Sequence, residues 1–412
     1  MNSKLREQAE LIVQGAIQAV LPDEAVRRAL NAHEFKGRVL LVAAGKAAWQ
    51  MAHAAVDCLG NRIEQGVVIT KYDHVKGPIA NCTCYEAGHP VPDENSFAAT
   101  RAAVKLVKQA QAEDTVLFLL SGGGSALFEL PLVSGEELQD ITGQLLACGA
   151  DIVEMNTLRK RLSGVKGGRF AQLCAPAKVF TVVLSDIIGD PLDMIASGPA
   201  CPDTSTCQQA LAVVEKYRLK VSLKAVDCLR QETPKKLDNV ETHITGSVRE
   251  LCTAAAAICG KLGYEPIVLT DRLCCQAKEA GSFLASVLKT HENTDRPLAF
   301  LAGGETVVQL TGHGKGGRNQ ELALAAAPGL AGMKNAAVFS FGSDGTDGPT
   351  DAAGGYVDGD TQEELARQGV QVHQVLTEND AYHALQKTGG LIFTGPTGTN
   401  VNDVAVALLY SE

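Results

Sequence analysis

Aromatic side chains are scarce in this chain: Phe, Trp and Tyr make up 5% of its 412 residues, and only one is Trp. A surface that stacks successive bases on aromatic platforms is therefore not expected. Positive charge is short as well. Lys and Arg number 37 against 47 Asp and Glu, a formal net charge of −10. No global basic field draws such a chain to nucleic acid or to a membrane surface, so an anionic ligand has to be held by a local pocket. No apolar run approaches the ~20 residues of a spanning helix. The longest weakly polar stretch, Leu322 to Met333, is twelve residues and contains Pro328. The opening Met1-Asn-Ser-Lys-Leu-Arg-Glu7 lacks the apolar segment of a secretory signal, which points to a cytoplasmic protein.

Several catalytic signatures are missing. The chain has no Gly-x-x-x-x-Gly-Lys-Ser/Thr loop, no His-Glu-x-x-His and no Gly-x-Ser-x-Gly, so Walker-type, metalloprotease and α/β-hydrolase chemistry find no support. Its twelve cysteines include no Cys-x-x-Cys; the nearest pairs are Cys82-x-Cys84 and the adjacent Cys274-Cys275. Free thiols are expected rather than a disulfide framework or a zinc site.

What is present is glycine, 41 residues of it, in a chain 45% apolar and 20% charged. That is ordinary globular composition, and the length suits two domains. Short β-branched runs at residues 38–44, 66–70, 116–120 and 178–184 read as buried strands of a parallel sheet. Helix-forming segments at 96–111 and 135–147 lie between them, and Ser134, Ser247 and Thr361 each precede Glu by three residues, the capping-box spacing. Alternation of this kind predicts an α/β fold: a Rossmann-like, doubly wound parallel sheet over residues 1–236. A second, smaller α/β domain over 237–412 follows a polar stretch at 231–239. Strands are expected there at 266–269, 298–301, 307–310, 338–341 and 391–393. A turn at Gly303-Gly-Glu305 would make that sheet mixed.

The chemistry-bearing segments follow strands, where open α/β sheets bind ligands. After residues 116–120 come Ser121, Gly122, Gly123, Gly124 and Ser125. Glycines let backbone amides approach a phosphate, and a following helix N-terminus adds to the attraction. A dinucleotide fingerprint is not completed, because Leu127 stands where that fold wants Gly or Ala. Lys46, in Ala44-Gly-Lys-Ala47, ends the first strand, where a cation meets a transferring phosphoryl group. Five cations fall within the eleven residues from Arg159 to Arg169, and Lys166-Gly-Gly-Arg169 suits an anion pocket. Lys315-Gly-Gly-Arg318 has the same character, and together the two suggest a cleft that clamps a multiply anionic ligand. Asp186, Asp190 and Asp193 follow one strand; Asp344, Asp347 and Asp351 follow another. Each is either a Mg²⁺ ligand beside a phosphate loop or a turn former. His89, in Gly88-His-Pro-Val-Pro92, is either a general base or a rigid loop histidine. Asn400 either bonds a ligand or lies in a segment that caps a closing helix.

These motifs in order resemble a known family. Ala-Gly-Lys-Ala47, Ala-Gly-His-Pro-Val-Pro-Asp93, Leu-Ser-Gly-Gly-Gly-Ser-Ala126, Leu-Ser-Gly-Val-Lys-Gly-Gly-Arg169, Ser-Asp-Ile-Ile-Gly-Asp-Pro191 and Ser-Gly-Pro199 come first. Gly-Gly-Glu-Thr306, Gly-Gly-Arg-Asn-Gln-Glu321, Gly-Thr-Asp-Gly-Pro-Thr-Asp-Ala-Ala-Gly354 and Thr-Gly-Thr-Asn-Val401 follow. Nearly the whole chain is similar to the class II glycerate 2-kinases, whose C-terminal part is the MOFRL domain; some relatives carry the label hydroxypyruvate reductase. The resemblance implies ATP- and Mg²⁺-dependent phosphorylation of D-glycerate to 2-phosphoglycerate, in an active site between two α/β domains. It points to Lys46 and Arg318 as the residues nearest the chemistry. Joined with the residue-level reading, the expected assignments are as follows. Asp186 and Asp190 hold Mg²⁺, and Asp190 also serves as the proton acceptor. Residues 122–125 cradle phosphate or the acceptor's carboxylate, with Lys166, Arg169 and Asn400 as further ligand contacts. The alternative is an NAD(P)H-dependent hydroxypyruvate reductase; a homodimer stays open.

Overall fold

The computed structural model describes residues 1–410. Among them twelve strands form two six-stranded sheets, each in its own compact unit: Pro22–Thr245, and Met1–Leu21 together with Gly246–Glu412.

In the unit Pro22–Thr245 the strands are β1 (Val39–Ala44), β2 (Ile63–Lys71), β3 (Cys82–Ala87), β4 (Thr115–Leu120), β5 (Lys178–Leu184) and β6 (Val240–Gly246), in the order β3-β2-β1-β4-β5-β6. β1 runs parallel to β2 and β4, β2 to β3, and β4 to β5. Every residue of β1 and β4 is buried. Helices cover both faces, so these strands read as continuous apolar runs rather than alternating ones. Fully burying a Leu, Val or Phe contributes ~1.5–3 kcal/mol over leaving it exposed, and Leu41, Val42, Leu117 and Phe118 are each buried to completion. The order of strands reverses between β1 and β4, the place where doubly wound sheets bind ligands beyond the strands' carboxyl ends.

The other sheet runs β11-β10-β9-β12-β8-β7. Its strands are β7 (Glu265–Leu273), β8 (Leu298–Gly304), β9 (Ala336–Gly342), β10 (Gly354–Asp358), β11 (Leu391–Ile392) and β12 (Asp403–Leu409). It is mixed: β7 and β8 are parallel, while β8/β12, β12/β9, β9/β10 and β10/β11 are antiparallel.

Several expectations change. The mixed character does not come from a turn at Gly303-Gly-Glu305, because β8 runs straight through Gly304. Residues 307–310 are not a strand: only a single bridge, Gln276 to Val307, forms there, and Leu310 is 80% exposed. The segment after Asn400 caps no helix. It leads into β12, an inner strand flanked by β8 and β9. Thr361 opens no capping box either; it is the first residue of helix Thr361–Arg367, and its hydroxyl donates to Asp358. Full boxes instead start helices at Asp93, Asp151 and Thr206. The twelve cysteines are free thiols.

The first helix, Ser3–Ala19, buries Leu5, Ala9, Ile12, Val13, Ala16 and Ile17, a stripe of helical period. That stripe packs with Leu251, Ala255, Phe339 and Tyr356 of the second sheet's unit. Asn2 anchors it, its amide donating to Asp358 at 2.7 Å while its side chain caps Leu5. The single division at 236/237 drawn from the sequence takes no account of this helix and falls ahead of β6.

Candidate active site

The segments that leave β1 and β4 are stitched to each other. Ser121 N–H donates to the Ala44 carbonyl at 3.0 Å, and Lys46 N–H to the Gly122 carbonyl at 2.8 Å. Ala47 N–H donates to Ser121 Oγ at 3.1 Å, and Thr70 Oγ1 to the Lys46 carbonyl at 3.3 Å. The Lys46 backbone is thereby fixed, while its side chain is exposed and takes no salt bridge among the described residues.

Glycine is required in the turn for two separate reasons. Gly123 has φ +85°, a left-handed conformation that side chains strain to adopt. A Cβ there would lie 3.0 Å from His89 Cδ2 and 3.2 Å from Lys46 Cγ. At Gly122 a Cβ would lie 2.4 Å from Asp186 Oδ2, so any side chain there would push that carboxylate off the turn. The turn therefore gathers Lys46, His89 and Asp186 around the reversal point of the sheet. Burial is the main reason the His89 imidazole is held below its ordinary pKa; the charges of Lys46 and Lys71 add to it. The helix after the glycines, Gly124–Leu127, is four residues long, too short to supply the dipole expected of it.

Asp190, on the loop after β5, has φ +52° and a buried Oδ1 without a hydrogen-bond partner. Asp193 pairs with Lys160 at 3.1 Å. No group of three or more His, Cys, Asp or Glu side chains comes together as a metal cage among the described residues. A Mg²⁺ held by one or two carboxylates, with phosphate and water completing its octahedron, needs no such cage. The hard oxygen donors of Asp186 and the unsatisfied oxygen of Asp190 fit that mode.

Two expected ligand contacts belong instead to the scaffold. Lys166 is fully buried; its Nζ is paired with Glu129 and donates to the Phe128 carbonyl at 3.2 Å. Burial pulls its ammonium pKa down, and Glu129 opposes that. Arg169 turns back onto the end of helix Ile152–Leu162, donating to the carbonyls of Arg161 at 3.1 Å and Ser163 at 2.5 Å. Removing one member of a buried pair typically costs ~3–5 kcal/mol because the other charge is left stranded. Lys166→Met is accordingly expected to lower the midpoint of denaturant unfolding by several kcal/mol equivalent; an unchanged midpoint would refute the scaffold role.

In the second unit, Arg318 opens helix Arg318–Leu330. Its Nε and Nη2 donate to Asp403 at 2.5 and 3.2 Å, and Nη1 to Glu305 at 2.9 Å. Beside it Asp347 accepts from the amides of Asn319 at 3.1 Å and Gln320 at 2.8 Å. Burial pushes the Asp347 carboxyl up to about 7, with a contribution from the Asp403 charge, against the two amides and Arg318. Burial also raises Asp403, with Arg318 opposing. Asp344 holds a turn, accepting from Thr346 N–H at 3.0 Å, and Asp351 accepts from the Tyr382 hydroxyl, 31 residues away, at 2.8 Å. Asn400 is exposed, and its Oδ1 accepts from Asn402 N–H at 3.3 Å in a local turn. The sequence reading missed Asp403, Glu305 and the two-amide seat of Asp347. Glu305 was visible as Gly-Gly-Glu at a strand end, whereas nothing local marked Asp403.

The Asp347 shift has a sign that can be tested. Its folded pKa lies above the ordinary 3.8, so it contributes stability fully present below pH 3.8 and lost as pH rises through about 7. The loss is on the order of 4 kcal/mol. Unfolding free energy relative to Asp347→Asn should therefore fall between pH 4.5 and 7.5; a rise would contradict the burial argument.

Residues 8–230 match a family described as a domain of unknown function (DUF4147), and residues 298–403 match the MOFRL family. A D-glycerate 2-kinase of Thermotoga maritima is 54% identical over 98% of both chains. A putative hydroxypyruvate reductase of Agrobacterium vitis is 38% identical over 90% of this chain and 100% of its own length. A crystal structure of glycerate kinase from Thermotoga maritima superimposes with a TM-score of 0.95 at 53% identity, covering 98% of this chain and 99% of that one.

Proposed function

The chain belongs to the MOFRL family of glycerate 2-kinases, and on that premise we propose that it transfers the γ-phosphoryl group of ATP to the 2-hydroxyl of D-glycerate, with Mg²⁺ as cofactor. The observation that carries the reading is the gathering of Lys46, His89 and Asp186 around a bare glycine turn at the reversal point of the sheet. An exposed cation beside accessible amides is what a polyphosphate demands, because charge on the transferring group spreads over its equatorial oxygens.

Lys46 and the amides of residues 122–125 hold the phosphate in line with the acceptor. Asp186 and Asp190 are the residues that would hold Mg²⁺, which when bound neutralises charge on the phosphate oxygens. Asp190 takes the hydroxyl proton; His89, neutral beside Lys46, is the second acceptor at the turn. Arg318 keeps two N–H groups beyond the three engaged by Asp403 and Glu305, and the reading assigns these to the anionic partners. A nicotinamide reaction is disfavoured by Leu127, which is fully buried where a dinucleotide fold packs Gly or Ala.

The test is direct. D-glycerate, ATP and Mg²⁺ should yield ADP and 2-phosphoglycerate, with the phosphorylated carbon read by phosphorus NMR. Oxidation of NADH with hydroxypyruvate, in place of ADP formation, would replace the kinase reading by the reductase one.

A further inference from the structure

A cavity of about 420 Å³ opens beside the glycine turn, with Ser125 and Ala126 along one side. Pro90, Val91 and Pro92 of the loop after β3, with Leu138 and Leu146 of helix Gly135–Ala147, give it an apolar lining. Two charged groups interrupt that lining. Glu129 is 3% exposed; its Oε2 is paired with Lys166, whereas its Oε1 is buried and has no hydrogen-bond partner. Arg159 is half-buried and takes no hydrogen bond or salt bridge among the described residues. Burial lowers its pKa, and the Glu129 charge opposes that.

A buried polar group left without a partner is costly, more so when it is charged. A site that leaves a half-buried guanidinium on its wall without an ion pair suits a ligand that accepts from it. Small-ligand pockets are mostly apolar, have volumes of ~300–1,000 Å³ and carry a few placed polar groups, as this one does. Glycerate, three carbons bearing two hydroxyls and a carboxylate, neither fills such a volume nor matches an apolar wall. A nucleoside does both. Its flat base suits the prolines and leucines, and its lone pairs suit Arg159. Phosphates attached to it would pass Ser125 on the way to the glycine turn.

We infer that this cavity takes the nucleoside of the phosphoryl donor, an inference that rests on the phosphoryl-transfer reading. Gly143 allows a clean test, because it lines the cavity from mid-helix and a Cβ there would meet nothing within 4 Å. Gly143→Trp should raise the calorimetric Kd for ADP about tenfold or more, with KM for ATP rising in parallel. The Kd for pyrophosphate and KM for D-glycerate should stay where they are. Gly143→Leu, a smaller plug, should act in the same direction, and melting curves establish that each variant is folded.

The inference is overturned if ADP binds both folded variants as it binds the parent, if pyrophosphate weakens as much as ADP, or if only KM for glycerate moves. It separates from the reading beneath it. A protein that binds ADP through this cavity but phosphorylates no glycerate keeps the inference and loses the kinase assignment. One that phosphorylates glycerate with the plugged cavity unaffected loses the inference alone.

Discussion

Lys46→Ala should lower kcat for glycerate phosphorylation by on the order of 10³-fold, the scale of removing one preorganised charge-stabilising donor, while leaving the melting curve almost unmoved. The asymmetry follows from how the residue is held. Its backbone is pinned through hydrogen bonds to Gly122 and Thr70, so the variant keeps the turn. Its side chain is exposed and takes no salt bridge among the described residues, so stability is expected to change by no more than ~0.5 kcal/mol. Charge on the phosphoryl group changes most in the transition state, so kcat should fall further than KM for ATP rises. Lys46→Arg restores the charge but replaces a compact ammonium with a planar guanidinium, and should recover part of the rate. Steady-state kinetics beside a thermal melt decide the matter; near-parental kcat in a folded Lys46→Ala protein would remove this lysine from the chemistry.

What the sequence made legible was local. The turn after β4 could be read because a buried apolar run, three glycines and a serine are contiguous, and Lys46 because it directly follows β1. The buried strands β1, β4 and β5 stood out for the same reason: parallel strands covered on both faces are continuous apolar runs. Edge strand β3, Cys82–Ala87, was not found, since most of its residues are only partly buried.

The failures are of long range. Lys166 looked like an anion ligand because its neighbours are Gly-Gly-Arg, but its counter-ion Glu129 lies 37 residues upstream. A similar separation hid the wall that Glu129 shares with Arg159. β12 reads Asp-Val-Ala-Val-Ala-Leu-Leu, as fit for a helix as for a strand. It became a strand because β8 and β9, remote in sequence, offered ladders on both sides. The helix Ser3–Ala19, absent from the elements expected of the sequence, carries an apolar stripe, and nothing in those residues says which sheet the stripe will cover.

Arg318 is the harder residue to test, because the structure joins two roles that the sequence kept apart. A cation that only faced the ligand would be lost at little cost in stability, as for Lys46. The bidentate pair with Asp403, 85 residues away, changes that expectation. Asp403 is 6% exposed, and removing its partner strands a carboxylate among groups that include Asp347. Arg318 itself is about one-third exposed, so the cost should be ~2–4 kcal/mol, somewhat under that of a fully buried pair. The destabilisation should also grow with pH. Without Arg318 only the Asn319 hydrogen bond opposes the burial that already raises Asp403, so stability held by its neutral form is lost as pH rises through that raised value. Arg318→Ala should therefore lose turnover and stability together, which alone cannot separate a group that touches the phosphate from one that braces the fold. The double variant Arg318→Ala/Asp403→Asn can. Neutralising Asp403 removes the stranded charge, so the melting temperature and its pH dependence should return most of the way to the parent while turnover stays lost. Recovery of turnover together with stability would make Arg318 a brace and leave the cationic work to Lys46; stability that fails to return would show that the Asp403 charge was not the cause of the loss.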